Sequence, residues 1–121
     1  MQSAAKAYGT VAQQTASPRE LEAQLLLRAA SRLQNVHDHW ESQRAGLDHA
    51  LLFNRKLWTI FLTSVTNNDN PLPAEVRQNI ANIGVFVMTQ TVEMQMNPDP
   101  AKLKPLIDIN CNLAAGLAGR A

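Results

Sequence analysis

Leu47, Leu51, Asn54, Trp58, Phe61 and Val65 follow one another at intervals of 4, 3, 4, 3 and 4. An α-helix, at 3.6 residues per turn, brings such a series onto one side, whereas a strand would scatter it over both faces. Leu52, Phe53, Leu57, Ile60 and Leu62 add apolar surface on the other sides. A helix that is apolar nearly all round is surrounded by protein. The spacing therefore predicts a helix from about Gln43 to Thr66 at the centre of the fold, with further helices packed around it.

Proline, glycine and short polar side chains mark where those helices start and stop. In Ser17-Pro18-Arg19-Glu20, the serine can cap a helix and the proline can take its first position, where a missing N–H costs nothing; Glu20 can reach back to the cap. A helix is predicted from Pro18 to Val36, with Leu21, Leu25, Ala29, Leu33 and Val36 on one side and Leu26 and Ala30 widening the stripe. A break is expected between Asp38 and Ser42. Asn67 to Pro73 reads as a loop by turn chemistry. Valines in the next segment would also suit a strand, but Val76, Ile80, Ile83, Val87, Thr91 and Met94 have helical spacing and predict a helix over Pro73 to Met96. Asn97-Pro98-Asp99-Pro100 interrupts again, with Asp99 placed to cap a turn at Pro100. The last helix is expected to begin or kink at Pro105 and to run to about Leu117, with Leu103, Leu106, Asn110, Leu113 and Leu117 on its stripe and Gly116 and Gly119 fraying its end. Ala4 to Gln13 can form a short helix around Tyr8 and Val11, although Gly9 weakens it by ~1 kcal/mol relative to alanine, so its order depends on docking. The expected fold is one all-α domain spanning residues 1–121: an antiparallel bundle of about four main helices plus a short N-terminal helical arm, residues 1–16.

Composition narrows the function. The chain has 121 residues, 45% hydrophobic and 17% charged, which fits a globular protein and not a disordered one. Its 11 basic and 10 acidic residues leave a net charge of +1. Arg19, Arg28 and Arg32 are interrupted by Glu20 and Glu22, the pattern of a solvated helix face. Nucleic-acid binders draw most of their affinity from phosphate neutralisation by a concentrated basic face, so no direct nucleic-acid partner is expected. Cys111 is the only cysteine; it falls in an apolar helical pattern, is expected to pack as a small hydrophobe, and suits a reducing cytosol. Met1 to Thr10 lacks the apolar core of a signal peptide. The longest nearly unbroken apolar run, Ile83 to Met88, is far short of the ~18–20 residues that span a bilayer. A cytoplasmic protein with no membrane association is expected.

Neither a catalytic centre nor a cofactor or metal site is expected. Gly84, Gly116 and Gly119 form no phosphate-binding pattern. His37 and His39, two residues apart, share no helical face, and neither they nor His49 has a His-x-x-x-His or cysteine partner. Asn67 to Asn70 lacks the glycine and distal glutamate of a calcium loop. Glu20, Glu22 and Glu75 lie in first turns of helices, where an acid favours the helix dipole.

Two features resist a reading as plain core or plain solvated surface. Asn54 and Asn110 each fall on an apolar stripe, where a buried amide must be hydrogen-bonded or costs ~1–3 kcal/mol. They are expected to bond to each other or to backbone across two helices, or else to meet a partner; replacing Asn54 with leucine is expected to be neutral or stabilising. The second feature is a row on the Pro73–Met96 helix, Val85, Met88, Val92 and Met96, spaced 3, 4 and 4 and pointing away from the main stripe. A helix between two layers would bury that row, and an edge helix would offer it to a partner. Methionine suits the second use because it repacks around varied apolar groups. The candidate partner-binding residues are therefore Val85, Met88, Val92 and Met96, together with Tyr8 of the arm.

The chain also resembles FlaF, the flagellar biosynthesis regulator of alphaproteobacteria. The resemblance begins at Ala7-Tyr8 and runs through Thr15-Ala16-Ser17-Pro18-Arg19 with Glu22 and Leu25-Leu26. It resumes at Leu52-Phe53-Asn54-Arg55-Lys56-Leu57-Trp58, which looks like the family's Asn-Arg-x-Leu-Trp signature. It continues through Leu72-Pro73, Arg77, Ile80, Phe86 and Val87, and closes with Leu106-Ile107-Asp108-Ile109-Asn110 and Gly116-Leu117. Val36 to Gly46 carries no part of it. The resemblance implies a non-enzymatic cytoplasmic factor that binds flagellin before its export, and a regulatory role opposite a second regulator, FlbT. It marks Ser17, Pro18, Arg19, Asn54, Arg55, Trp58 and Asn110 as structural residues of the family pattern. The competing class is an RNA-binding regulator of flagellin messenger RNA.

Overall fold

A computed structural model of the chain describes residues 17–119. The expected arm, Tyr8 included, lies outside them. The described residues form α1 (Pro18–Asp38), a short α2 (Trp40–Gln43), a 3-10 turn (Arg44–Gly46), α3 (Leu47–Val65), α4 (Ala74–Met96), a second 3-10 turn (Pro100–Lys102) and α5 (Leu103–Leu117). They contain no strand, and the four long helices make the all-α bundle that the spacing predicts. α1 packs along α5 over most of its length and also against α3; α4 packs chiefly on α3 and meets α5 only near one end. The helices pack in the order α5, α1, α3, α4, with α4 the outermost and only lightly touching α5, while α3 and α5 face each other across the bundle.

The predicted boundaries hold where a cap fixes them. The Glu20 backbone N–H donates to Ser17 Oγ at 3.1 Å, with Pro18 in the first helical position. Asp99 Oδ1 accepts from the Ala101 N–H at 2.9 Å and starts the turn before α5. Three boundaries differ from expectation. The chain breaks at His39 alone (φ −125°, ψ 44°), after which residues 40–46 form a helical turn and a 3-10 turn, so α3 starts at Leu47 and not Gln43. Leu47 is the first buried side chain after Val36, and burial anchors the new helix there. α5 starts at Leu103, two residues before Pro105. Pro105 thus lies in the first turn, where no N–H is required of it, and does not itself begin the helix. Gly119 closes α5: its φ of 75° is the left-handed conformation that glycine adopts without strain, and its N–H bonds to Gly116 O at 3.1 Å.

The core is contiguous and includes Leu26, Leu33, Leu51, Trp58, Val87, Met94, Leu103 and Leu106, all with no exposed surface. Alanines at Ala23, Ala29, Ala30 and Ala114 are also buried, which suits the close pairing of α1 with α5. Several single positions turn differently from their predicted face. Leu25 is 38% exposed and Leu21 only half-buried, because α1 centres its contact on Leu26, Ala30 and Leu33. Val76 and Ile83 lie partly in solvent at the margin of α4. α3 is not enclosed: Leu52, Arg55, Lys56, Thr59 and Thr63 are exposed and Ile60 is 65% exposed, since its neighbours leave its outer side to water. Cys111 is exposed rather than packed, one residue round the helix from buried Asn110.

Candidate functional site

The residues of the central pattern meet inside the bundle. Asn54 of α3 and Asn110 of α5 are fully buried, as is Trp58 one turn from Asn54. Trp58 Nε1–H donates to Asn110 Oδ1 at 3.0 Å, and Asn110 Nδ2 donates to Asn54 Oδ1 at 2.6 Å. The indole can only donate, so it fixes Asn110 with its oxygen toward Trp58 and its amide toward Asn54. The expected pairing of the two asparagines across α3 and α5 is present, with Trp58 as a third member that periodicity alone did not reveal. Asn54 Nδ2 is buried with no hydrogen-bond partner. α5 cannot slide along α3 without orphaning four polar groups on these three side chains, which makes the hydrogen-bonded chain a register lock. Arg55, next to it in sequence, points outward.

A groove of about 540 Å³ opens at one end of the bundle. The first turn of α1 supplies Ser17, Pro18, Arg19 and Glu22, and the last turn of α3 supplies Ser64 and Val65. Asn70, Pro71 and Leu72 of the connecting loop and Leu117 of α5 complete the wall. The loop is held by its own side chains: Asn67 Oδ1 accepts from the Asp69 N–H and Asn70 Oδ1 from the Leu72 N–H, both at 2.9 Å, and Asn70 Nδ2 reaches Ser64 Oγ at 3.0 Å. Arg77 of α4 then clamps it, donating from Nε to Leu72 O at 3.2 Å and from Nη1 to Val65 O at 3.4 Å. A cation at the carbonyl end of α3 is also favoured by the helix dipole. Partial burial pushes the Glu22 carboxyl above its ordinary range, and nearby Arg19 opposes the shift. Sequence periodicity missed this groove, because its walls come from four separated segments. The signal available was that Ser17, Pro18, Arg19, Glu22, Leu72, Arg77 and Leu117 all belong to the resemblance.

The second row of α4 runs from the middle of that helix to its far end. Val85 is 64%, Val92 53% and Met96 70% exposed, while Met88 is half-buried and packs against the core. The geometry follows from the edge position of α4. Its buried stripe of Ile80, Gly84, Val87, Thr91 and Met94 faces the bundle, and Gly84 lets it approach α3 so closely that an added Cβ would lie 2.9 Å from Leu62 Cγ. The end of α4 is tied down by Lys102 Nζ, which donates to Glu93 Oε1 at 3.1 Å and to Asn97 O at 2.8 Å. The Lys102 and Asn97 hydrogen bonds hold the Glu93 carboxyl below its usual range. The exposed row is thus carried on a rigidly seated helix.

His37 and His39 lie at the end of α1, and His49 lies in the first turn of α3. His37 Nδ1 meets Asp38 Oδ1 at 2.9 Å and His39 Nδ1 meets Asn35 O at 3.1 Å. Among the described residues no three His, Cys, Asp or Glu side chains gather where a metal ion could be held, and no helix is long and apolar enough to cross a membrane. The arrangement offers apolar surface and a groove.

The model of the family described as flagellar protein FlaF matches residues 4–117. No curated protein and no solved structure matches the chain.

Proposed function

The chain belongs to the FlaF family of flagellar proteins, and on that premise we propose that it binds flagellin before export and thereby links flagellin synthesis to secretion, acting in the cytoplasm as a chaperone and regulator without catalysing a reaction. The observation that carries this reading is the exposed row Val85, Val92 and Met96, flanked by half-buried Met88, on an edge helix. An unassembled subunit must keep apolar helical surface from water, and a chaperone must offer matching area. An amphipathic helix laid against α4 is the helix-in-groove mode of recognition. Burying one such side chain gains ~1.5–3 kcal/mol by transfer. Three or four of them approach the ~8 kcal/mol of a micromolar complex only if the entropy cost of association is partly offset by further contacts. A functional link to FlbT belongs to the same reading.

Val92→Asp together with Met96→Asp tests it. Both side chains are more than half exposed, so the variant keeps its helical circular dichroism; substitution of half-buried Met88 would confound binding with folding. The expected result is loss of co-purification with flagellin, and a wild-type interaction that weakens little as salt rises, since screening acts on charges and not on apolar contact. A folded variant that still holds flagellin refutes the assignment of the face. A wild-type protein that ignores flagellin and binds its messenger RNA refutes the function in favour of RNA binding.

A further inference from the structure

We infer that the crevice between α1 and α3 is a second docking surface, which takes an amphipathic helix carrying carboxylates and acts independently of the row on α4. The two helices run antiparallel: the end of α1 meets the start of α3 around Val36 and Ala50, and the start of α1 meets the end of α3 around Glu22 and Val65. Arg32 lies over the Phe53 ring, its Cζ 4.2 Å from the ring centre. That pairing sets the level of the rest. Leu25, Arg28 and Arg32, spaced 3 and 4, share one side of α1; Phe53, Lys56 and Ile60, also spaced 3 and 4, share one side of α3. Antiparallel packing then brings Arg28 level with Lys56 and Leu25 level with Ile60. The three cations are exposed, and among the described residues none of them forms an ion pair. Leu25 is 38% and Ile60 65% exposed. Residues 23–36 and 49–66 contain no aspartate or glutamate, although the net charge of the chain is only +1. The nearest acids turn elsewhere: Glu20 lies with Gln24 and Ala118 toward α5, Glu22 walls the end groove, and Asp48 precedes Lys56 by about two turns. The basic and acidic residues that alternate along the start of α1 thus fall on separate faces.

These features select the occupant. Apolar side chains flanked by cations match a helix that presents apolar and acidic side chains together, and a crevice between two helices seats a third. Arg32 is held against the ring, so a carboxylate meets a guanidinium already in place. A second copy would bring the same cations and be repelled. Nucleic acid would find three cations along ~10 Å of helix and a Phe53 ring already covered by Arg32, too little charge for phosphate-driven affinity and no open face for base stacking.

The test titrates the isotopically labelled full chain with a synthetic helix of about four turns that carries leucines flanked by glutamates, and with a counterpart in which lysines replace the glutamates. Amide chemical shifts locate the site and fluorescence anisotropy gives the affinity. The expected result is that the glutamate helix binds, that shifts cluster on Leu25, Arg28, Arg32, Phe53, Lys56 and Ile60, and that affinity falls as salt rises, unlike an apolar contact on α4. Arg28→Glu with Lys56→Glu changes two exposed side chains and should weaken the glutamate helix about tenfold. The same variant should gain affinity for the lysine helix, a reversal that an unfolded chain would not show. Equal binding of both helices to the wild type, or no binding of the glutamate helix, would overturn the proposal. Shifts centred on Val85, Val92 and Met96 would overturn it by placing the helix on α4. Tighter binding of phosphatidylglycerol vesicles or single-stranded RNA through Arg28, Arg32 and Lys56 would overturn it in favour of a lipid surface or a nucleic acid.

Discussion

Replacing Asn110 with alanine should cost far more stability than replacing Asn54, although both asparagines are fully buried and lose the same atoms. Asn110 sits in the middle of the buried chain, accepting from Trp58 Nε1 and donating to Asn54 Oδ1. Its removal leaves two groups without partners, the indole N–H and the Asn54 oxygen. At ~1–3 kcal/mol per buried orphan, that is ~2–6 kcal/mol. Asn54→Ala orphans the Asn110 amide but also removes the Asn54 Nδ2, which has no partner to begin with. The two effects nearly cancel, and the cavity left by the side chain is common to both variants. Asn110→Ala should therefore be less stable than Asn54→Ala by at least ~2 kcal/mol, which at a slope of ~1–3 kcal/mol per molar urea moves the unfolding midpoint by about 1 M. In the double variant the costs should not add, because the second substitution removes orphans made by the first. Urea titrations followed by helical circular dichroism read all three values. Equal midpoints for the two single variants, or strict additivity in the double, would refute the polar chain. The same accounting revises the sequence expectation for Asn54→Leu: it leaves the Asn110 amide unpaired and is not expected to stabilise.

Ser17→Ala removes the acceptor for the Glu20 N–H and should cost ~0.5–2 kcal/mol, seen as a lower urea midpoint with unchanged slope. Gly84→Ala gains ~1 kcal/mol in helix propensity but drives a methyl into Leu62 at an overpacking cost of ~1–3 kcal/mol, so thermal unfolding should show a net loss of up to ~2 kcal/mol. Glu22 carries a raised carboxyl pKa because burial disfavours its charge. Its protonated form favours the folded state, so its contribution is complete below the ordinary glutamate range and is lost as pH rises through the raised value. Glu22→Gln should therefore flatten stability across that interval, and identical pH profiles for variant and wild type would contradict the assignment.

The sequence by itself determined the helices, their caps and the polar positions within the apolar stripes. These are local: Ser17 and Asp99 satisfy donors within three residues of themselves, and a 3–4 spacing selects a face whatever lies opposite. The positions of Asn54 and Asn110 were legible for that reason, and their mutual bond was a short step. Trp58 as the third member was not, since its indole N–H has no local signature. Tertiary structure alone decided which helices are neighbours. The apolar surface of α3 could have meant enclosure on every side, but α4 covers one flank and leaves Ile60 to water. Cys111 and Leu25 turned outward because a stripe read at 100° per residue does not say how wide the facing helix will be. The groove could not be read along the chain at all, being assembled from residues up to a hundred positions apart. The standing of α4 as an edge helix, and with it the exposure of Val85, Val92 and Met96, follows from a packing arrangement that helix periodicity does not encode.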